Sequence, residues 1–391
     1  MTDHAPSVEP TDDPVLVRDV ARGIATAVAP DGGLADIQAT LLGAVTEALT
    51  DQTIDYRTLE PLDADGLADR IGDRGLDYRQ RIVHHMVLGE LVLRPLPLEV
   101  GIRVAEYAKA LGVEDRFVRV ARRYAQGAFG LAWKDLKRSG FTENWESVKL
   151  DQLRTASDID DPFGRSDEDH ELAERWRAFE HLGRGTLGRR VWEMYHGRKF
   201  SLPGTADGAS AYLAQHDFVH VLADYGTDLR GEIEVFAFIG RADPDPKGFA
   251  WLATVIGLFE TGYIASTGFF DSDTKEPAVQ APGMTTRLAD AVRRGKHVAS
   301  TVNCDLFEID YHELAAIPVA EVRRMLDIPE KSPRAIEAGS VGAFALDGMS
   351  ATQRAAATRA TMMAPELRYL LEDQGGDTGT DGSGNRTTAG A

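Results

Sequence analysis

The stretch Gln215-His216-Asp217-Phe218-Val219-His220-Val221-Leu222-Ala223-Asp224-Tyr225-Gly226-Thr227-Asp228-Leu229-Arg230-Gly231-Glu232 decides how this chain is read. His216 and His220 are four residues apart, so on a helix they share one face, one turn from each other. That is the spacing at which a helix offers two imidazole nitrogens to one metal ion. Asp217 precedes His220 by three and lies on the adjoining flank, where it could be a ligand, a partner to an imidazole or a base. Gly226 is expected to end the helix in the left-handed conformation, and Thr227 or Asp228 to cap the next one. Glu232 then falls in the first turn of the second helix. Glu232, Val235, Phe236 and Ile239 follow the i, i+3, i+4, i+7 pattern of one helix face. The carboxylate therefore points into the core, where leaving it unpaired is costly. A cation shared with the two histidines would compensate. The candidate metal ligands are thus His216, His220 and Glu232, with Asp217 beside them as a further ligand, a partner to an imidazole or the catalytic base.

Helical periodicity continues on both sides of this stretch. Helices are expected over 78–93, 98–111, 115–137, 171–182, 186–196, 208–224, 230–239, 247–264, 285–298 and 319–326. Only Val302 to Ile309 alternates as a strand would. The expected fold class is mostly α, with an N-terminal small helical bundle followed by an all-helical metal-binding domain. Residues 1–14 read as disordered, 15–140 as the bundle and 141–167 as a linker. Residues 168–335 read as the metal-binding domain, 336–374 as C-terminal helices and 375–391 as a disordered tail. Length agrees with two domains plus tails, since a domain runs to roughly 150 residues.

Composition narrows the function classes. With 43% hydrophobic and 27% charged residues, the chain of 391 can bury a sizeable core. A net charge of −19 argues against nucleic acid as a partner, because a phosphate groove needs an excess of Lys and Arg on one face. The single cysteine, Cys304, leaves neither an internal disulfide nor a cysteine-based zinc site. The N-terminus lacks the basic start and apolar run of a signal peptide. The most apolar stretch, 248–270, is interrupted by Glu260 and reads as a buried helix rather than a membrane span. Its Phe249, Trp251, Leu252, Val255, Ile256 and Phe259 are candidates either for core or for a lipid groove. Arg198, Lys199 and Arg294 are candidate anion contacts or solvated surface.

The motif His-Asp-x-x-His, eleven residues, then Glu resembles the signature of the coenzyme Q biosynthesis protein 4 family. Leu187-Gly188 with Tyr195 looks like that family's Leu-Gly-x-x-Tyr helix, and Gly231-Glu232-Ile233 like its Gly-Glu-hydrophobic run. Arg293 to Lys296, Asp310-Tyr311 and Val322 to Leu326 resemble its closing segment. The likeness covers roughly residues 180 to 330. The first 170 residues have no counterpart, and Ala242 to Gly248 looks like a small charged insert. The N-terminal helices are loosely similar to TerB-like tellurite-resistance helical domains, on helix pattern alone.

What the resemblance implies is a helical, membrane-associated protein carrying zinc on His216, Asp217, His220 and Glu232. Its activity would replace the ring carboxylate of a polyprenylated hydroxybenzoate with a hydroxyl, in ubiquinone-type biosynthesis. Iron is the alternative metal, since ligand type alone does not choose between them. Implied partners are the prenyl lipid and other enzymes of quinone biosynthesis, at a cytoplasmic location with peripheral membrane contact. A non-catalytic lipid-binding scaffold with a structural metal is the competing expectation. Asp217 as a fourth direct ligand favours the scaffold, and Asp217 as a base favours the enzyme.

Overall fold

A computed structural model describes residues 13–93, 97–114, 168–243 and 278–363, without 207, 210, 212 and 303, together with 119, 248, 252 and 256. Apart from those single positions, the helices expected over 115–137 and 247–264, the 141–167 linker and the 375–391 tail lie outside the described residues. So does Glu260. Leu252 and Ile256 are fully buried in the core.

The described residues are mostly helical, as the periodicity requires, and contain no strand beyond an isolated bridge between Thr186 and Pro318. Five helices form the N-terminal unit: α1 (Pro14–Val28), α2 (Asp36–Thr50), α3 (Ala64–Ile71), α4 (Leu76–Leu91) and α5 (Leu98–Ala110). Asp13 caps α1 by accepting from the Val15 N–H at 3.0 Å, and Pro14 needs no acceptor at the first turn. Val20, Ile24, Leu67, Val83, Met86 and Val104 meet in the core between them.

The second unit holds α6 (His170–Arg177), α7 (Leu187–Arg198), α8 (Gln215–Ala223), α9 (Leu229–Ala242) and α10 (Met284–Thr301). Four further helices follow: α11 (Tyr311–Leu314), α12 (Val319–Met325), α13 (Pro333–Glu337) and α14 (Ala351–Met363). α9 lies along α10, while α8 packs between α7 and α9. A buried ion pair, Arg287 Nη2 to Glu234 Oε2 at 2.5 Å, bonds α10 to α9. The two units are not separate in space. α2 packs along α10, and its Leu41, Val45 and Ala48 enter the same core as Phe238 and Leu288. Lys296 of α10 donates to the Leu49 carbonyl at 2.9 Å across that seam.

Three local expectations are corrected. Residues 302–309 turn rather than extend, since Val302 ends α10 and Asp305 accepts from the Phe307 N–H at 2.8 Å. The apolar alternation there reflects Leu306 and Phe307 plugging the core. The helix expected over 208–224 begins only at Gln215, after turns in which Gly204 takes a φ of 84° against the Asp169 carbonyl. Finally, Asp224 and not Gly226 is the left-handed residue that ends α8, with φ 60° and ψ 51°. Aspartate tolerates that conformation, and here its carboxylate accepts from the Ala343 N–H at 3.2 Å.

Gly226 serves a different need. A Cβ there would stand 2.7 Å from the Gly348 Cα, so the turn and the 346–348 segment touch backbone to backbone. Gly231 is tighter still, because a Cβ would collide with the Gly226 carbonyl. The helix carrying Glu232 can therefore fold back on α8 only with glycine at 231. Gly231→Ala is expected to destabilise the fold by about 1–3 kcal/mol through overpacking and to push Glu232 away from the histidines. Thermal unfolding of the metal-free variant checks it, and an unchanged midpoint would contradict this account of the turn.

Candidate metal centre

α8 places His216, Asp217 and His220 in one patch, and all three are buried. Their ligand atoms lie within 4.8 Å of one another, and this buried His-Asp-His cluster could hold a metal ion. Glu232 is not one of those three but faces both imidazoles from the first turn of α9, where Asp228 caps the helix by accepting from the Gly231 N–H at 2.9 Å. One carboxylate oxygen of Glu232 is 3.4 Å from His216 Nε2 and the other 3.2 Å from His220 Nε2. Val235, Phe236 and Ile239 are buried along the same helix face.

The imidazoles are set for coordination by their far nitrogens. His216 Nδ1 contacts the Leu213 carbonyl, and His220 Nδ1 lies 3.3 Å from the Tyr225 carbonyl. A carbonyl only accepts, so each Nδ1 carries a proton, and Nε2 is the nitrogen turned toward the site. His220 Nε2 is buried, and despite its nearness to Glu232 no aligned hydrogen bond satisfies it among the described residues. A buried acceptor without a donor costs free energy, and a cation between imidazole and carboxylate removes that cost. The donor set therefore fits a divalent metal.

Asp217 is anchored from a third helix. Tyr195 of α7 donates its hydroxyl to Asp217 Oδ2 at 2.5 Å, while Oδ1 lies 3.7 Å from His216 Nε2. Burial and the charge of Asp217 raise the Tyr195 pKa well above the ordinary value, so it remains a donor. Sequence reading used Tyr195 only as part of a motif and missed this bond. It also left Arg198 and Arg294 open as anion contacts or surface. Both are buried: Arg198 donates to the Thr227 hydroxyl at 2.6 Å and to the Ala343 carbonyl. Arg294 donates to the Pro329 carbonyl at 2.8 Å and lies over the Tyr225 ring. Lys199 is exposed, in the left-handed position ending α7. Asp224 faces Lys331 at 3.4 Å and is not one of the clustered residues.

The site's electrostatics give its pH dependence. Burial opposes a charge on His216, but Asp217 and Glu232 outweigh it and raise the pKa to about 9. Burial also opposes a charge on Glu232, yet His220 and His216 hold its pKa down at about 2. Without metal, near neutral pH, His216 is cationic and Glu232 anionic. A metal ion must expel the His216 proton. Zinc affinity of the metal-free protein should therefore rise about tenfold per pH unit up to the His216 pKa of about 9. About one proton should be released from His216 per ion at neutral pH. Calorimetry in buffers of differing ionisation enthalpy reads this directly, and an affinity independent of pH would contradict it.

Compared with known protein families, curated proteins and solved structures, the chain matches none.

Proposed function

We propose that this chain is a metal-dependent protein of prenylated-quinone biosynthesis, which replaces the ring carboxylate of a polyprenylated hydroxybenzoate-type lipid with a hydroxyl. The observation that carries the reading is the meeting of His216, Asp217 and His220 with Glu232, in the spacing that resembles the coenzyme Q biosynthesis protein 4 family. Zinc is the proposed metal, with ferrous iron as the alternative, since both suit two imidazoles with carboxylate. Such a cation supplies Lewis acidity toward a carboxylate or phenolate oxygen when bound.

The chain's own residues do the rest. The side chains of His216, Asp217 and Glu232 keep 10%, 10% and 11% exposure while His220 has none. A substrate would therefore approach past His216, Asp217 and Glu232. The His216 imidazole stacks on the buried Phe236 ring at 5.2 Å, which fixes its orientation. Asp217 stands within reach to accept a proton from a ring hydroxyl. Exchange of the carboxyl group, as the acid, for hydroxyl with water as the oxygen source releases carbon dioxide, two protons and two electrons. Zinc is redox-inert, so with zinc bound dioxygen would have to take up those electrons and protons as hydrogen peroxide. The prenyl tail calls for contact with a lipid surface. No described helix is long and apolar enough to cross a membrane, and the contact proposed is a peripheral one.

One observation favours a second reading, a lipid-binding scaffold with a structural metal. Asp217 lies within the ligand cluster, and four protein ligands would close a tetrahedral site. Incubation of the metal-loaded protein with a polyprenylated hydroxybenzoate under dioxygen separates the two. The enzyme reading predicts a hydroxylated, decarboxylated lipid by mass spectrometry with wild type and none with His216→Ala. Lipid that binds but stays unchanged supports the scaffold, and lipid that neither binds nor changes removes both.

A further inference from the structure

One short polar contact of the cluster joins a candidate ligand to a side chain outside the four. Tyr195 projects from α7 and donates to Asp217 Oδ2 at 2.5 Å, with both groups buried. The phenol ring has little freedom. It packs against Trp176 at 5.1 Å and edge-on to Phe200 at 5.6 Å. The helix behind it is fixed too, because the Leu187 and Gly188 N–H groups donate at 2.9 Å to the Ile317 and Ala315 carbonyls. Gly188 lets that segment approach so closely that a Cβ would stand 2.8 Å from the Ala315 Cβ. With one oxygen of Asp217 occupied by the phenol, the other is the one left facing His216 Nε2, at 3.7 Å.

We propose that Tyr195 is a positioning residue of the metal site: its hydroxyl holds one oxygen of Asp217 and so presents the other, alone, to a divalent cation. The inference rests on the metal-site reading above and says how Asp217 takes part in it. An Asp217 free to rotate could offer both oxygens or neither. Pinned by a phenol on a rigid helix, it offers one, in a fixed direction, beside the imidazole nitrogens. Hydrogen-bond partners of metal ligands typically contribute about 10–100-fold in affinity through such orientation.

The test is a double-mutant cycle on zinc affinity, using the full chain, chelator competition and Tyr195→Phe, Asp217→Ala and the double variant. Tyr195→Phe removes only the hydroxyl and keeps the ring between Trp176 and Phe200. The expected result is zinc binding weakened about 10–100-fold by Tyr195→Phe. In the Asp217→Ala background the same change should weaken it no further, since partners acting through each other are not additive. Thermal unfolding of the metal-free variants confirms that each is folded. A Tyr195→Phe affinity equal to wild type, or penalties that add, would overturn the proposal and leave Tyr195 a packing residue. Wild type that takes up no zinc overturns the site itself, a different outcome that is visible before any variant is made.

Discussion

Replacing Glu232 with alanine is expected to weaken zinc binding by more than about 100-fold, beyond the usual effect of losing a ligand's hydrogen-bond partner. Glu232 is the only one of the four candidate ligands that comes from α9, and its two oxygens face the two Nε2 atoms separately. Its loss leaves the site open on the α9 side, with Asp217 as the one remaining carboxylate. The metal-free protein should respond as well. Glu232 helps hold the His216 pKa at about 9, so in the variant that proton should come off at lower pH. Chelator competition measures the affinity, and histidine proton resonances followed through a titration measure the pKa. An affinity within a few-fold of wild type would mean that the carboxylate only neutralises charge in the fold. Glu232→Gln, which keeps the shape and loses the charge, should fall between the two.

The largest effect on stability is expected two residues away, at Glu234. Its side chain is 0% exposed, and Arg287, at 2.5 Å, is 4% exposed. Glu234→Ala leaves a buried guanidinium without its counter-charge between α9 and α10, which should cost about 3–5 kcal/mol. A control is built into the same chain. Arg177 and Glu174 also lie 2.5 Å apart, but they are 49% and 71% exposed. Solvent screens that pair, so Glu174→Ala should cost no more than about 1 kcal/mol. Denaturant midpoints of the two variants decide whether burial or distance governs these bonds. Equal losses would contradict the argument. Because Glu234 points away from Glu232 around the helix, metal uptake by the folded Glu234→Ala protein should remain near wild type.

Much of the cluster was legible in the sequence because helical geometry is regular. Four-residue spacing put His216 and His220 on one face, and the stripe through Val235, Phe236 and Ile239 turned Glu232 inward, as the burial of these residues bears out. What could not be read depends on contacts distant in sequence. Tyr195 meets Asp217 because α7 is docked on the Ala315 and Ile317 carbonyls, and no local pattern encodes that docking. Arg198 and Arg294 carried the sequence signal of surface residues, yet carbonyls and aromatic rings from remote segments enclose them. At the turn, sequence reasoning favoured Gly226 for the left-handed position. The close approach of Gly348 required glycine there instead, and Asp224 took the left-handed conformation. The short alternation at 302–309 was ambiguous by nature. Among the described residues no strand lies beside it, and its turns seat Leu306 and Phe307 in the core. The seam between α2 and α10 was hidden for another reason. An amphipathic helix shows that it has a buried face, not which helix covers it.

If His216, Asp217, His220 and Glu232 form one metal site, protein purified without added metal should carry about one equivalent of zinc or iron by elemental analysis. The His220→Ala and Glu232→Ala variants should lose it while their helical content is retained. Wild-type protein without metal, or metal kept by both variants, would contradict it and leave the cluster a buried charge network that packs α8 against α9.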